Sequence, residues 1–177
     1  MLILLLTAVF GMILFAGFFF RAYQTFTYEE PVAKITVEPG DEPETNKITL
    51  VQFGPEEKEI VRQFRLSGDQ WMLEGDILKW NNWMNFLGLH TRYRLTRLRG
   101  RYTEIEDEKV LPSTIYPLVE NEDHPLWRYF YRHGFKLPLV STAYGNAVFQ
   151  YSDKGTSYLV YVGTSGFIVR KQNETLQ

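Results

Sequence analysis

The sequence predicts an α+β protein: one N-terminal transmembrane helix followed by a mainly antiparallel β-sheet domain with one or two short helices. Three observations predict it. Leu2 to Phe20, LILLLTAVFGMILFAGFFF, carries no charge. From residue 32 onward, β-branched and aromatic residues recur in short runs between Gly, Pro, Ser and Asp turns. One segment, PLWRYFYRH, keeps helical spacing instead.

The apolar run comes first. At ~1.5 Å per residue it reaches roughly 28 Å, close to the ~30 Å hydrocarbon thickness of a bilayer. A cleaved signal peptide would want a positive start and small residues at a cleavage point, but here FFFRAYQTF follows directly. Residues 1–28 are therefore read as a transmembrane anchor with an interfacial belt of Arg21, Tyr23, Phe26 and Tyr28. Residues 29–177 are read as a single soluble domain. Arg21 and Lys34 follow the helix, which favours a cytoplasmic domain and leaves a periplasmic one open.

Within the domain, VAKITVEP and NKITLVQF bracket the acidic loop EPGDEPET as a hairpin. EIVRQFRL and QWMLEGDILKW flank Ser67-Gly68-Asp69, which predicts a second hairpin. STAYGNAVFQY, TSYLVYVG and FIVRK, separated by Ser152 to Gly155 and Thr164 to Gly166, predict a three-stranded meander. Pro125 to His133 is the clearer helix, with Asp123 as N-cap and Gly134 as the residue after its end. Leu126, Trp127, Phe130 and His133 share one of its faces, and Arg128 and Arg132 another. A shorter helix covers Asn82 to Leu87, before Gly88.

Composition narrows the chemistry. A formal net charge of -2 and a pI near 6.0 argue against a dedicated nucleic-acid binder. With no cysteine there is no disulfide framework, thiolate metal site or cysteine nucleophile. Aromatic residues make up 16% of the chain, which points to a ring-packed β core. Gly163-Thr164-Ser165-Gly166 precedes a strand rather than a helix, so it reads as a turn and not a phosphate loop or nucleophile elbow. His90, His124 and His133 have no metal-ligand spacing. Glu104, Glu106, Asp107 and Glu108 read as a solvated loop or as counter-charge to the arginines before them. Asn173-Glu174-Thr175 fits a glycosylation triplet too short to carry weight. Neither metal nor cofactor is expected.

The stretch HTRYRLTRLRGRY concentrates Arg92, Arg94, Arg97, Arg99 and Arg101. Arg92 and Arg94 share one strand parity, and the other three share the opposite one. A bulge near Thr96 would put all five on one face. Pairing with the acidic run, or with Glu74 and Asp76 on a neighbouring strand, is the favoured reading. Lipid phosphates come next, then a soluble anionic partner, with nucleic acid last. Trp80, Trp83, Phe86 and Leu87 precede the arginines. Such rings cap a β core more often than they lie on a bilayer, but next to arginines they also fit an anionic membrane surface. The candidate lipid- or anion-binding set is therefore Arg92, Arg94, Arg97, Arg99, Arg101, Trp80 and Trp83.

The run GDQWMLEGDILKWNNWMNFLGLHTRYRLTRLRGRY resembles an uncharacterised family of small bacterial proteins with one N-terminal membrane helix. Its pattern is carried by Gly68, Asp69, Trp71, Leu73, Leu78 to Trp80, Leu87 to Leu89 and Tyr93 to Tyr102. Ser141 to Gly145 and Thr164 to Phe167 are similar as well, so the resemblance covers about the last two-thirds of the chain. Some members carry the label of a multidrug or cation efflux pump. One helix cannot form an alternating-access pathway, so that label is not carried over. The resemblance supplies no catalytic or binding residues.

The expectation is a non-catalytic, single-pass membrane protein whose β-rich domain binds a partner protein or an anionic lipid surface. The alternative is an accessory subunit or enzyme acting on lipid or envelope material. A deep polar pocket holding His124 or His133 with a carboxylate would favour it, and a solid core without one would count against it.

Overall fold

A computed structural model describes residues 1–42, 45–54, 58–119 and 124–172. The order is α1 (Leu2–Thr27), β1 (Glu30–Pro39), β2 (Thr45–Phe53), β3 (Glu59–Ser67), β4 (Gln70–Trp80), α2 (Asn82–Phe86) and β5 (Arg92–Arg101). Then follow α3 (Ile105–Val110), β6 (Ile115–Pro117), α4 (Pro125–His133) with a 3-10 turn (Gly134–Lys136), β7 (Val140–Tyr151), β8 (Thr156–Gly163) and β9 (Gly166–Gln172). The α+β class holds: one apolar helix, two antiparallel sheets and a few short helices.

One sheet has the order β3-β2-β1-β8-β9 and the other β6-β5-β4-β7. Period-2 alternation explains why they face each other. Ile35, Val37, Ile48, Leu50 and Val160 point inward from the first, and Trp71, Leu73, Ile77, Leu95 and Leu98 from the second. Between the sheets, Trp71 meets Tyr158 edge-on at 5.3 Å and Tyr93 meets Phe167 at 6.3 Å. The aromatic content is thus spent partly on joining the layers.

Two predicted pairings are corrected. β3 and β4 are not a hairpin, because β3 pairs only with β2 while β4 pairs with β5 and β7. The Ser67–Asp69 turn carries the chain from one sheet to the other, using Gly68 at φ 115. Nor do the last three strands form one meander: β7 lies beside β4, and only β8 and β9 are a hairpin. A turn signal specifies a change of direction and says nothing about which sheet receives the next strand. The two crossings meet at one end of the domain, where Ser152 N donates to Asp69 O at 2.8 Å. Close approach there also fixes Gly100, whose replacement by any residue with a Cβ would overlap the Ser67 carbonyl.

The helices differ from expectation in detail. The chain over Glu104 to Glu108 is not a plain loop but enters α3, with Glu106, Asp107 and Glu108 in the first turn and Lys109 in the last. His124, not Asp123, caps α4, its Nδ1 accepting from Leu126 N at 3.3 Å; Asp123 lies outside the described residues, as does Asn173-Glu174-Thr175. Gly134 stays right-handed at φ -54 and leads into the 3-10 turn instead of ending the helix in the left-handed region. On the shared face, Trp127, Phe130 and His133 are half-buried, whereas Leu126 is exposed.

Candidate functional site

The β5 arginines stand on one face because the strand is bulged at Thr96. Glu74 of β4 pairs with Arg97 and Gly75 with Leu95, so Thr96 has no partner in the ladder. Its carbonyl instead accepts from Leu118 N at 2.8 Å. Tyr93, Leu95, Leu98 and Gly100 then face the core, and all five arginines face outward. β4 presents Glu74 and Asp76 opposite them, in register.

Most of that positive charge is answered internally. Arg94 Nε and Nη2 donate to Asp76 Oδ2 at 3.0 and 2.5 Å, with Arg94 also over the Trp127 ring at 5.5 Å. Asp76 Oδ1 accepts from the Tyr131 hydroxyl at 2.8 Å. That hydroxyl lies close to Gly145 of the adjacent β7. Burial first, and then the bond to Asp76, push the Tyr131 phenol well above its ordinary range. Arg99 donates to Glu108 at 2.6 Å, while the other oxygen of Glu108 accepts from Tyr102 N at 2.8 Å. Glu108 thus supplies the counter-charge that the sequence predicts from the acidic run. Arg97 approaches Glu74 at 3.5 Å, a looser and more exposed pair. Arg101 lies over Phe149 at 4.6 Å. Among the described residues neither Arg92 nor Arg101 has a carboxylate partner.

The two tryptophans separate. Trp80 is half-buried and donates its indole N–H to His90 O at 3.0 Å, which ties the end of β4 to the start of β5. Trp83 is 54% exposed, and so is not the core residue that composition favoured. Arg92 is exposed at the same end of β5. A strand rises ~3.3 Å per residue, so Arg101 stands roughly 30 Å further along. The seven candidate residues therefore do not form one patch: Trp83 and Arg92 lie at the α1 end, and Arg101 at the opposite end.

No family model, curated protein or solved structure matches the chain. Its chemistry rests on its own geometry. His124 is used as a cap, His133 sits 4.9 Å from the Tyr129 ring, and His90 stacks on Tyr28 at 4.0 Å. Among the described residues, no three metal-ligating side chains gather. A shallow groove of about 290 Å³ lies between Glu74, Asp76, Arg97 and Tyr131, and another of about 360 Å³ lies at the far end around Asn46, Asp69, Asp107 and Lys154. Neither is lined by His124 or His133. The sequence points to Asp76 as a partner of the arginines, as found for Arg94, but not to Tyr131, which lies 55 residues from Asp76.

α1 has one property that bears on function. Its stretch Leu2–Gln24, 23 residues, is long and apolar enough to cross a membrane, and none of it is buried against the domain. Only Tyr28 and Glu29 separate α1 from β1.

Proposed function

We propose that the chain is a single-pass protein of a bacterial cell membrane, and that its β-rich domain is a non-catalytic module for binding at the membrane surface. One observation carries the reading: Leu2–Gln24 is long and apolar enough to cross a membrane and is not buried in the domain, and only Tyr28 and Glu29 separate α1 from β1. A long apolar helix left unburied by its own domain is stable in lipid and not in water. The domain uses its histidines and most of its clustered arginines in internal contacts, which fits a binding role better than an active site. Tethering raises the effective concentration of the domain at the surface, so contacts weak in solution suffice there.

The test is expression of the full chain in a bacterium, alkaline carbonate extraction and sequencing of the mature N-terminus. Retention in the membrane pellet with residues 1–28 intact is expected. Release into the supernatant, or a new N-terminus downstream of Phe20, overturns the anchor. Cross-linking in intact membranes followed by mass spectrometry then identifies the partner, and a membrane protein is the expected adduct.

A further inference from the structure

α2 has its polarity inverted. Asn85 faces inward, 4% exposed, and its Oδ1 has no hydrogen-bond partner among the described residues, while Trp83 and Leu87, one turn apart on the opposite side, are 54% and 61% exposed. A soluble domain normally does the reverse, because burying an amide and wetting an indole are both unfavourable. Such an arrangement is stable when the outward face meets something other than water.

The location of α2 identifies what it meets. α1 touches α2, and just past them the Tyr28 ring stacks on His90 at 4.0 Å. The apolar stretch Leu2–Gln24 has 23 residues, which at ~1.5 Å each span ~34 Å, already more than the ~30 Å hydrocarbon core. The end of α1, and α2 against it, therefore stand at headgroup level, where indole rings are favoured. Leu139, 41% exposed, lies on a segment bonded to the foot of α2, where its carbonyl accepts from Asn81 N at 3.0 Å. Arg92 begins the next strand, exposed and with no carboxylate partner among the described residues. Indole and leucine facing out beside an unpaired guanidinium match the chemistry of an anionic headgroup layer.

We infer that α2 is an interfacial foot: Trp83 and Leu87 rest in the headgroup layer of the membrane that α1 crosses, and Arg92 contacts the phosphates of anionic lipids. This rests on the anchored reading above and adds to it a fixed orientation of the domain. With α2 on the lipid, β5 carries Arg94 to Arg101 away from the bilayer. Those four arginines are not lipid ligands.

The chain has 4 Trp, at positions 71, 80, 83 and 127, and none lies in α1, so indole emission reports on the domain alone. Full-length protein is reconstituted into nanodiscs of phosphatidylcholine and phosphatidylglycerol carrying headgroup spin-labelled lipid, and insertion of α1 is verified by protease protection. Wild-type emission is expected to be quenched, with the quenched component missing in Trp83→Phe and weakened in Leu87→Ser. In Arg92→Ala the quenching should lose its dependence on the phosphatidylglycerol fraction, whereas Arg101→Ala should behave as wild type. Equal quenching in wild type and Trp83→Phe, with α1 inserted, overturns the foot and leaves the anchor standing. An unquenched Trp83 that cross-links to a second copy or another protein also overturns it, assigning the face to that partner. Failure of α1 to insert overturns both readings.

Discussion

Replacing Asp76 by Ala should lower stability far more than disrupting the neighbouring pair of the same chemistry. Asp76 accepts three hydrogen bonds, at 3.0 and 2.5 Å from Arg94 and 2.8 Å from Tyr131. The Arg94 and Asp76 side chains are only 16% and 14% exposed. At an effective dielectric near 20, two unit charges ~4 Å apart attract by roughly 4 kcal/mol, and partial desolvation offsets part of that. Removing one member of a fully buried pair costs ~3–5 kcal/mol, and an exposed pair contributes ~0.2–1 kcal/mol. Arg94 keeps its place over Trp127 in the variant, so a loss of ~2–3 kcal/mol is expected, with a Tm lower by roughly 5–10 °C for a domain of this size. Arg94→Met supplies the second arm of a double-mutant cycle, and the coupling should be ~2 kcal/mol. Glu74 and Arg97, at 3.5 Å with 20% and 45% exposure, should couple by less than ~0.5 kcal/mol. Both cycles are read from thermal unfolding of the full chain in mild detergent, followed by near-ultraviolet circular dichroism. Equal couplings, or an Asp76→Ala protein that melts within a degree of wild type, would refute the claim that burial and the third hydrogen bond set this pair apart.

Two further perturbations probe the fold. Deleting Thr96 should abolish cooperative unfolding: without the bulge, either Tyr93 and Leu95 or Leu98 must leave the core. Each such side chain is worth ~2 kcal/mol in apolar burial, and the Asp76–Arg94 pair would be lost as well. Thr96→Ala keeps the residue count and should stay within ~1 kcal/mol of wild type on the same melt. Burial first, and then the Asp153 carboxylate, push the Tyr158 phenol up from 10.0 to about 12. Because the folded pKa is the higher one, the folded state holds that proton more tightly. The resulting stability is intact below pH 10.0 and declines as pH rises toward about 12. Tyr158→Phe should flatten that alkaline decline in a series of melts, and an unchanged slope would rule the linkage out.

What the sequence could and could not reveal divides along the range of the interactions. The bulge at Thr96 was legible because parity is local: two arginines on one register and three on the other admit few solutions in a half-buried strand. The helix at Pro125 to His133 was legible for the same reason, through its 3.6-residue spacing. The assignment of strands to sheets was not. Gly68 and Gly155 announce turns, yet whether β4 returns beside β3 depends on β5 and β7, strands far along the chain. β6 has three residues bounded by Pro117, too few for periodicity to register. Arg99–Glu108 was within reach because the two lie only nine positions apart, and Tyr131–Asp76 was not.

The division of Trp80 from Trp83 carries the same argument to function. Both stand in one short aromatic run, and composition treats them alike. Trp80 is fixed inside by a bond to the His90 carbonyl that exists only because β5 returns beside β4. That return also turns α2 so that Asn85 is enclosed and Trp83 is not. The outward tryptophan is thus a consequence of long-range strand pairing, and its proximity to the end of α1 is a consequence of the two-residue link to β1. A chain selected only for a soluble core would gain stability by exchanging the two, placing the indole in and the amide out. Retaining the reverse arrangement at the end of an apolar helix makes sense when the helix and the tryptophan serve one surface. Exchanging them, as Trp83→Asn with Asn85→Leu, should therefore stabilise the domain in detergent while weakening its contact with anionic nanodiscs.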